Sequence, residues 1–346
     1  MMKHASLLAA TLAGGVMAVS TVVNAAGHSK SLVDTIKDKG FVQCGVSTGL
    51  AGFSTPDDKG NWTGLDVDVC RAVAAAIFGD SSRVQFTPLT AKERFTALQS
   101  GEIDMLSRNT TWTLTRDSNL GLNFAGVNYY AGQGFMVYKS LGVTSAKELD
   151  GASVCIQAGT TTELNLADYF RANDMSYEAI TYSTSDQTIE GFKTGRCDVL
   201  TSDQSQLYAL RLKLDNPKDA MVLPEIISKE PLGPVVRNGA EDMLKIVRWS
   251  LFAMVNAEEM GVTSKNVDYI RANTKDPGKQ RLLGKSGIGG KGLGVSDNWA
   301  YDIIKQVGNY GESFERNVGS GSPLQIARGV NALWNQGGIQ YAPPIR

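Results

Sequence analysis

The sequence predicts an α/β protein of two similar lobes, each built on a mostly parallel sheet flanked by helices. Three observations favour this fold class: a helix–glycine–strand segment that occurs twice, two similar apolar strands that begin the two halves, and a length of 346 residues. Domains usually contain roughly 100 to 200 residues, so the chain has room for two hydrophobic cores.

The repeated segment consists of "ALQSGEIDMLSRN" at 97–109 and "GFKTGRCDVLTSD" at 191–203, which align without a gap. Each copy predicts the end of a helix, a glycine that terminates it and a buried strand. A polar residue ends each segment, Asn109 in the first copy and Asp203 in the second. A second pair, "FVQCGVSTG" and "ASVCIQAGT", predicts the first strand of each lobe.

Asn109 and Asp203 predict a ligand site between the lobes. In open α/β sheets, ligands bind beyond the carboxyl ends of the strands, where helix N-termini and loops present free N–H groups. If the lobes face one another, both strand ends line one cleft, and the lobes close on a ligand around a hinge.

The first 25 residues predict a cleaved signal peptide. Lys3 and His4 precede an apolar run at 5–23, and small residues follow at Ala25 and Ala26. No other segment reaches the roughly 18 apolar residues that a membrane-spanning helix needs. We therefore expect an exported protein that is located in a periplasm.

Composition argues against nucleic-acid binding and against catalysis by histidine. The formal net charge is −1, which favours neither nucleic acid nor an anionic membrane as a partner. His4 and His28 are the two histidines, and both lie in or next to the signal peptide. The exported part keeps only His28, at its very start, so its fold lacks a plausible histidine for a Ser-His or Cys-His pair.

The motifs give no reason to expect a metal or a cofactor. The four cysteines are widely spaced, without the close Cys-x-x-Cys pairs of a zinc site. Disulfides are the interpretation that suits an oxidising compartment, with buried free thiols as the alternative. "GIGGKG" at 287–292 fits a dinucleotide motif, but no strand precedes it and no helix opens directly from it.

Several segments together resemble a known family. They are "FVQCGVSTGLAGFSTPDDKGNWTGLDVDVCRAVAAAIFG", "ALQSGEIDML", "RNTTWTLTRD" and "IQAGTTTE". The chain resembles, over roughly residues 35 to 260, the periplasmic amino-acid-binding proteins of ATP-binding-cassette (ABC) importers, and most of all their general L-amino-acid group. The resemblance implies the type II periplasmic binding protein fold, with two hinge crossings between the lobes.

The family pattern also implies how the α-amino and α-carboxylate groups of a ligand are bound. The residues implied for the α-carboxylate are Asn109, Thr111 and Arg116 in the first lobe, and Thr160 or Thr161 in the second. Asp203 is implied to pair with the α-ammonium group. The alternatives are a solvated helix arginine at 116 and a helix cap at 203. A buried carboxylate requires a charged partner, which favours the ligand-binding interpretation.

Side-chain selectivity is predicted to be broad, for polar and acidic amino acids. Ser47 stands where some cationic-amino-acid binders have an aspartate, and Leu50 replaces a family aromatic. Arg94 matches a position that acidic-amino-acid binders use, with a surface arginine as the alternative. Phe53 is a further candidate contact, with packing inside its loop as the alternative.

We expect the hinge crossings near Ala131 and Pro231. The first lobe is then discontinuous, with residues 29–131 and 231–346, and the second lobe covers residues 132–230. Disulfides between Cys44 and Cys70 and between Cys155 and Cys197 would each lie inside one lobe and leave the hinge free to move.

The function implied by the resemblance is capture of an L-amino acid and its delivery to the permease subunits of an ABC importer. The protein is expected to be a monomer, without enzymatic activity. Two alternatives are an enzyme on the same fold, similar to cyclohexadienyl dehydratase, and a soluble sensor domain that acts through a separate receptor.

Overall fold

The computed structural model describes residues 30–287 and 289–346. The predicted signal peptide and residue 29, the predicted start of the first lobe, lie outside these ranges. Within them, no helix combines the length and the apolar character that crossing a membrane requires.

The elements of this part of the chain alternate between strands and helices. The strands are β1 Val42–Ser47, β2 Thr55–Pro56, β3 Trp62–Thr63, β4 Val84–Leu89, β5 Met105–Leu106, β6 Leu122–Phe124, β7 Tyr129–Ala131, β8 Gln133–Tyr138, β9 Ala152–Gln157, β10 Tyr177–Tyr182, β11 Val199–Asp203, β12 Ala220–Val222, β13 Glu230–Leu232 and β14 Val235–Arg237. The α-helices are α1 Leu32–Lys39, α2 Leu65–Phe78, α3 Arg94–Ser100, α4 Leu114–Asn119, α5 Thr161–Ala172, α6 Ser185–Lys193, α7 Gln204–Arg211, α8 Glu241–Glu259, α9 Val267–Asn273, α10 Pro277–Leu282, α11 Gly290–Leu293, α12 Trp299–Gln306 and α13 Tyr310–Asn317.

Two five-stranded sheets share one plan. The first has the strand order β4-β1-β5-β14-β6, with β1 parallel to both β4 and β5, and β14 antiparallel to β5 and β6. The second has the order β10-β9-β11-β8-β12, with β9 parallel to β10 and β11, and β8 antiparallel to β11 and β12. The predicted two-lobed α/β fold is therefore confirmed.

Helix α2 is buried along almost its whole length beneath the first sheet. It begins at Gly64, which has a φ of 136° and passes so close to Phe53 that a Cβ atom there would lie 2.0 Å from the Phe53 carbonyl oxygen. Only glycine fits this turn without displacing the backbone. The turn aims α2, with Val67 and Val73, into the main hydrophobic core.

The residues after 274 pack on the first lobe. Trp299 and Ile303 of α12 and Phe314 of α13 belong to the same buried cluster as α2 and α8. The buried carboxylate of Asp68 in α2 accepts a hydrogen bond of 2.6 Å from Arg316 of α13. This pairing ties the C-terminal helices to the centre of the lobe.

The second lobe has a core on each face of its sheet. Successive residues of β9 point to opposite faces, so Val154 and Ile156 join the cluster that contains Phe170 of α5. Cys155 lies in the opposite cluster, together with Phe192 of α6. This alternation fixes the register of β9 and therefore the position of the loop that follows it.

A short antiparallel pair, β7 with β13, lies where the chain passes between the two sheets. These strands include Ala131 and Pro231, the two predicted crossing points, although the lobe boundaries themselves stay a prediction. The amide of Asn331 reinforces β7, because it accepts from the Tyr130 N–H at 2.7 Å and donates to the Tyr130 carbonyl at 3.0 Å.

Each sheet carries one disulfide. Cys44 of β1 is bonded to Cys70 of α2, and Cys155 of β9 is bonded to Cys197, just before β11. These are the two pairs predicted from the sequence, and each joins a central strand to an element of its own lobe.

Candidate ligand-binding cleft

The segment "RNTTWTLTRD" forms the loop between β5 and α4. Asn109 has a positive φ of 30°, and its N–H donates to the buried carboxylate of Asp66 at 2.7 Å. Helix α4 begins after Thr113, whose hydroxyl accepts from the N–H of Arg116. The Arg116 guanidinium turns back and donates from Nη1 to the carbonyl of Thr111 at 2.9 Å. The threonines therefore cap the helix and direct the arginine towards the cleft.

A small cavity of about 20 Å³ lies between the carboxyl ends of β5 and β11. Both lobes contribute to it, and all of its lining side chains are polar or charged. The lining residues are Arg94, Arg108, Asn109, Thr111, Gln157, Thr160, Thr161, Thr162, Ser202, Asp203 and Gln206.

The structure brings most of the predicted site residues to this cavity. Those that line it are Arg94, Asn109, Thr111, Thr160, Thr161 and Asp203. Arg116 is 8% exposed and lies directly behind the lining, bound to Thr111. Leu50 and Phe53 do not line the cavity; both are buried in the main hydrophobic core, where Phe53 packs edge-to-face on Tyr129.

Side chains from the two lobes also contact each other directly across the cleft. Asn109 Nδ2 donates to Gln206 Oε1 at 3.3 Å, and Arg94 Nη2 donates to the Gly159 carbonyl at 3.4 Å. Thr111 and Thr161 face each other with 3.5 Å between their hydroxyl oxygens. The lobes are therefore in contact around the cavity.

Three arginines from the first lobe concentrate positive charge at the cavity. Arg94 is 2% exposed, and its Nε has no hydrogen-bond partner in the described part of the chain. Burial, together with the charges of Arg108 and Arg116, holds the pKa of Arg94 well below its usual value. Burial also lowers the pKa of Arg108 to about 10. Guanidinium groups that repel one another at a buried site favour an anionic ligand.

Asp203 provides negative charge from the second lobe. Burial raises its pKa to about 7, and the charge of Glu230 adds to this effect, whereas Arg116, Arg94 and Arg108 oppose it. Asp203 occupies the position before α7, but its side chain makes no capping hydrogen bond. Its carboxyl group is therefore available to the cavity.

Glu230 is a buried carboxylate that the sequence analysis missed. Its Oε2 accepts from the hydroxyls of Thr111 at 2.6 Å and Thr161 at 2.9 Å. Its Oε1 accepts from Asn165 Nδ2 at 2.6 Å and from the Ser228 hydroxyl at 2.7 Å. Glu230 thus binds side chains from both lobes at the crossing strand β13.

The other lining residues that were missed are Arg108, Gln157, Thr162, Ser202 and Gln206. The positions of Arg108 and Gln206 carried a signal. Arg108 stands beside Asn109 at a predicted strand end, and Gln206 lies within one helical turn of Asp203. Glu230 had no comparable signal, because its partner Thr111 is 119 residues away in sequence.

In the ranges 30–287 and 289–346, no cluster of three or more His, Cys, Asp or Glu residues is arranged to hold a metal ion. The charged groups of the cleft are instead arginines opposed by single carboxylates.

Comparison with known proteins places this site in context. The family described as bacterial extracellular solute-binding proteins, family 3, matches residues 42–266. The chain is 61% identical over 340 residues to the putative amino-acid ABC transporter-binding protein YhdW of Escherichia coli O157:H7, covering 98% of this chain and 99% of that protein.

Two further relatives extend the comparison. The general L-amino acid-binding periplasmic protein AapJ of Rhizobium johnstonii is 57% identical over 342 residues, covering 98% of this chain and 99% of that protein. A solved structure of an ABC transporter periplasmic binding protein from Brucella ovis, with glutathione bound, is 56% identical and superposes with a TM-score of 0.90. The superposition covers 92% of this chain and 100% of that one. The match to the family model over residues 42–266, together with these identities, shows that this chain belongs to family 3 of the bacterial extracellular solute-binding proteins.

Proposed function

We propose that this chain is the periplasmic substrate-binding component of an ABC importer for L-amino acids. One observation carries the proposal: a small cavity formed by both lobes holds buried arginines on one side and Asp203 on the other. A free α-amino acid carries one negative and one positive group on the same carbon. A buried charge is costly without a partner, so such a cavity suits a zwitterion.

Arg116 and the beginning of α5 are the proposed partners of the α-carboxylate. The first N–H groups of a helix have no partner within it, and they attract anions. Thr160 is the residue before α5, and Thr161 and Thr162 are its first two residues. All three line the cavity, as do Asn109 and Thr111 from the other lobe.

Asp203 is the proposed partner of the α-ammonium group. It is 7% exposed, and no capping hydrogen bond occupies its side chain. Binding of an ammonium group would favour its ionised form, because an opposite charge within a few ångströms stabilises a carboxylate.

Arg94 and Arg108 are proposed to favour polar and acidic side chains. Both guanidinium groups are buried at the cavity. The Nε–H group of Arg94, which has no partner among the described residues, can donate a hydrogen bond to an acceptor of the ligand. The names of the relatives support amino-acid transport, and the glutathione bound to the Brucella protein carries two carboxylates.

Export and delivery complete the proposal. The predicted signal peptide would direct the chain to the periplasm, where a monomer would carry its ligand to the permease subunits of the importer. The family membership and the relatives that are named as transporter-binding proteins support this role.

Native mass spectrometry and titration calorimetry test the proposal. The purified protein should carry a bound amino acid, and after refolding it should bind L-glutamate and L-glutamine with micromolar or tighter affinity. D-glutamate is the matched control, because it places the ammonium group away from Asp203 when its two carboxylates are bound. If no L-amino acid binds at millimolar concentration, the proposal is wrong.

One observation favours an enzyme as a second candidate. A carboxyl group with a pKa of about 7 suits a general acid, and Asp203 has this property. Incubation with a cyclohexadienyl carboxylate would detect dehydratase activity. Product formation that disappears in Asp203→Asn would support the enzyme, whereas amino-acid binding without turnover would support the transport role.

A further inference from the structure

Glu230 lies at the junction of the two lobes and the hinge. It is 2% exposed and belongs to β13, the second of the two crossing strands. Thr111 reaches it from the first lobe, and Thr161 and Asn165 reach it from α5 of the second. Each of its two carboxylate oxygens accepts two hydrogen bonds from the protein, so the carboxylate needs no further donor from a ligand.

The two threonine hydroxyls share a single acceptor, Glu230 Oε2. A hydroxyl has one hydrogen to donate and two lone pairs to offer, whereas a carboxylate only accepts. The hydrogens of Thr111 Oγ1 and Thr161 Oγ1 therefore both point to Glu230. Both threonines also line the cavity, so the lone pairs of their hydroxyls are what these side chains can offer to a ligand there.

A ligand carboxylate and a ligand ammonium group would respond to these hydroxyls in opposite ways. A carboxylate has only lone pairs and would meet the lone pairs of the two hydroxyls, which repel it. An ammonium or amide N–H could instead donate to them. The α-carboxylate is then left to Arg116 and the backbone N–H groups, whose hydrogens have fixed directions.

We infer that Glu230 is a positioning residue that turns the Thr111 and Thr161 hydroxyls into hydrogen-bond acceptors for the ligand's N–H donors. This inference rests on the proposed binding of amino acids and deepens it, because it assigns the hydroxyls to the nitrogen of the ligand. It also refines the sequence prediction, in which Thr111 was assigned to the α-carboxylate: the backbone N–H keeps that role, and the hydroxyl does not.

Two substitutions of Glu230 separate its role as an acceptor from its charge. Glu230→Met removes both acceptors at similar size, and we expect L-glutamate binding to weaken at least about tenfold, as for other hydrogen bonds to charged groups. Glu230→Gln removes the charge but keeps an amide oxygen that can accept from both hydroxyls. Its affinity should therefore remain closer to the wild type than to Glu230→Met.

A double-mutant cycle with Thr111→Val tests whether Glu230 acts through the hydroxyl. In the Thr111→Val background, Glu230→Met should cost at least about threefold less affinity than in the wild type, because the hydroxyl it orients is gone. Ser228→Ala is the matched control. It removes one hydrogen bond from Oε1, remote from the two threonines, and should leave affinity within about threefold.

A coupling of less than about threefold between the two substitutions, or a Glu230→Gln protein as weak as Glu230→Met, would overturn the inference. A structure of the wild-type complex with L-glutamate decides independently of how the variants fold. A ligand nitrogen within hydrogen-bond distance of the two hydroxyls supports the inference, and a carboxylate oxygen there refutes it. If the wild type binds no amino acid, the proposed function fails first, and the inference with it.

Discussion

Among individual side chains, Arg116 has the clearest expected effect on binding. Replacement by alanine removes a buried positive charge beside the cavity, so the ligand carboxylate loses its charged partner. Loss of one member of a buried ion pair costs about 3 to 5 kcal/mol. This corresponds to roughly a hundred- to several-thousand-fold weaker binding.

Calorimetry with L-glutamate, L-glutamine and L-alanine checks this prediction. The loss should be similar for all three ligands, because the α-carboxylate is common to them. Arg94→Ala is the control, and it should change the preference among side chains instead. An Arg116→Ala protein that is folded and binds within threefold of wild type would contradict the assignment.

The titration of the Asp203 carboxyl group lets us predict how ligand binding depends on pH. Its pKa of about 7 means that the carboxyl group is protonated in the unliganded protein below pH 7. A bound ammonium group needs the ionised form, so binding must release a proton there. Affinity should therefore fall towards tenfold for each pH unit below 7 and should level off above it.

Titration of L-glutamate between pH 5 and pH 8, in buffers of different ionisation enthalpy, measures both the affinity and the released proton. Asp203→Asn removes the titrating group, and its weaker binding should be nearly independent of pH over this range. A wild-type affinity that stays constant from pH 8 to pH 5 would show that Asp203 does not bind the ammonium group.

Cavity residues could be predicted where a local sequence pattern marks them. They could not be predicted where their role depends on contacts with residues distant in sequence. Asn109 and Asp203 were found because they end the two copies of a repeat. Leu50 and Phe53 were proposed from the resemblance alone, and the close turn at Gly64 holds Phe53 in the core instead. Glu230 depends on partners brought together only by the hinge, which local patterns do not encode.

At the scale of elements, the repeat predicted helix, glycine and strand in both lobes. The structure has α3 followed by Gly101 with a φ of 81°, and α6 followed by Gly195 with a φ of 68°. In the first copy the strand is β5, which has two residues, and just before it the side chain of Asp104 accepts from the backbone N–H of Gln43 at 2.7 Å. A side-chain acceptor of this kind competes with regular strand pairing.

Each disulfide should contribute to the stability of its own lobe. The bonds join residues separated by 26 and 42 positions, and the chain-entropy relation gives about 3 to 4 kcal/mol for either loop. In urea unfolding, the free energy of unfolding should fall by this amount in the Cys44→Ala/Cys70→Ala variant and in the Cys155→Ala/Cys197→Ala variant. Peptide mapping under non-reducing conditions is the control, and a bond between the lobes would refute the pairing.

At the scale of the whole molecule, the contacts across the cleft predict ligand-dependent closure. Asn109 and Asp203 belong to different lobes and can hold one ligand only when the lobes approach. A ligand that binds the closed form better shifts the population towards it. Small-angle scattering should show a smaller radius of gyration with saturating L-glutamate.

Trp112 gives a second measurement of the same closure. Its ring stacks on Phe124 with 5.3 Å between the ring centroids, and the residue is 38% exposed. Its backbone N–H donates to the carbonyl of Pro231 in the crossing strand β13. Its fluorescence should change with ligand, and Trp112→Phe should remove the signal without removing the compaction. No change in either measurement would exclude movement of the lobes.

The two hydrogen bonds between Asn331 and the backbone of Tyr130 have a consequence for the order of folding. The hydrogen bonds span 201 residues, whereas β1 pairs with β4, and β9 with β10, over much shorter stretches of chain. Contacts between residues far apart in sequence form slowly, because a long loop must close first. The β7–β13 crossing should therefore become rigid only after the two lobes have folded. Pulse-labelled hydrogen exchange during refolding would reveal this as late protection of the Tyr130 amide, and protection simultaneous with β1 and β9 would refute it.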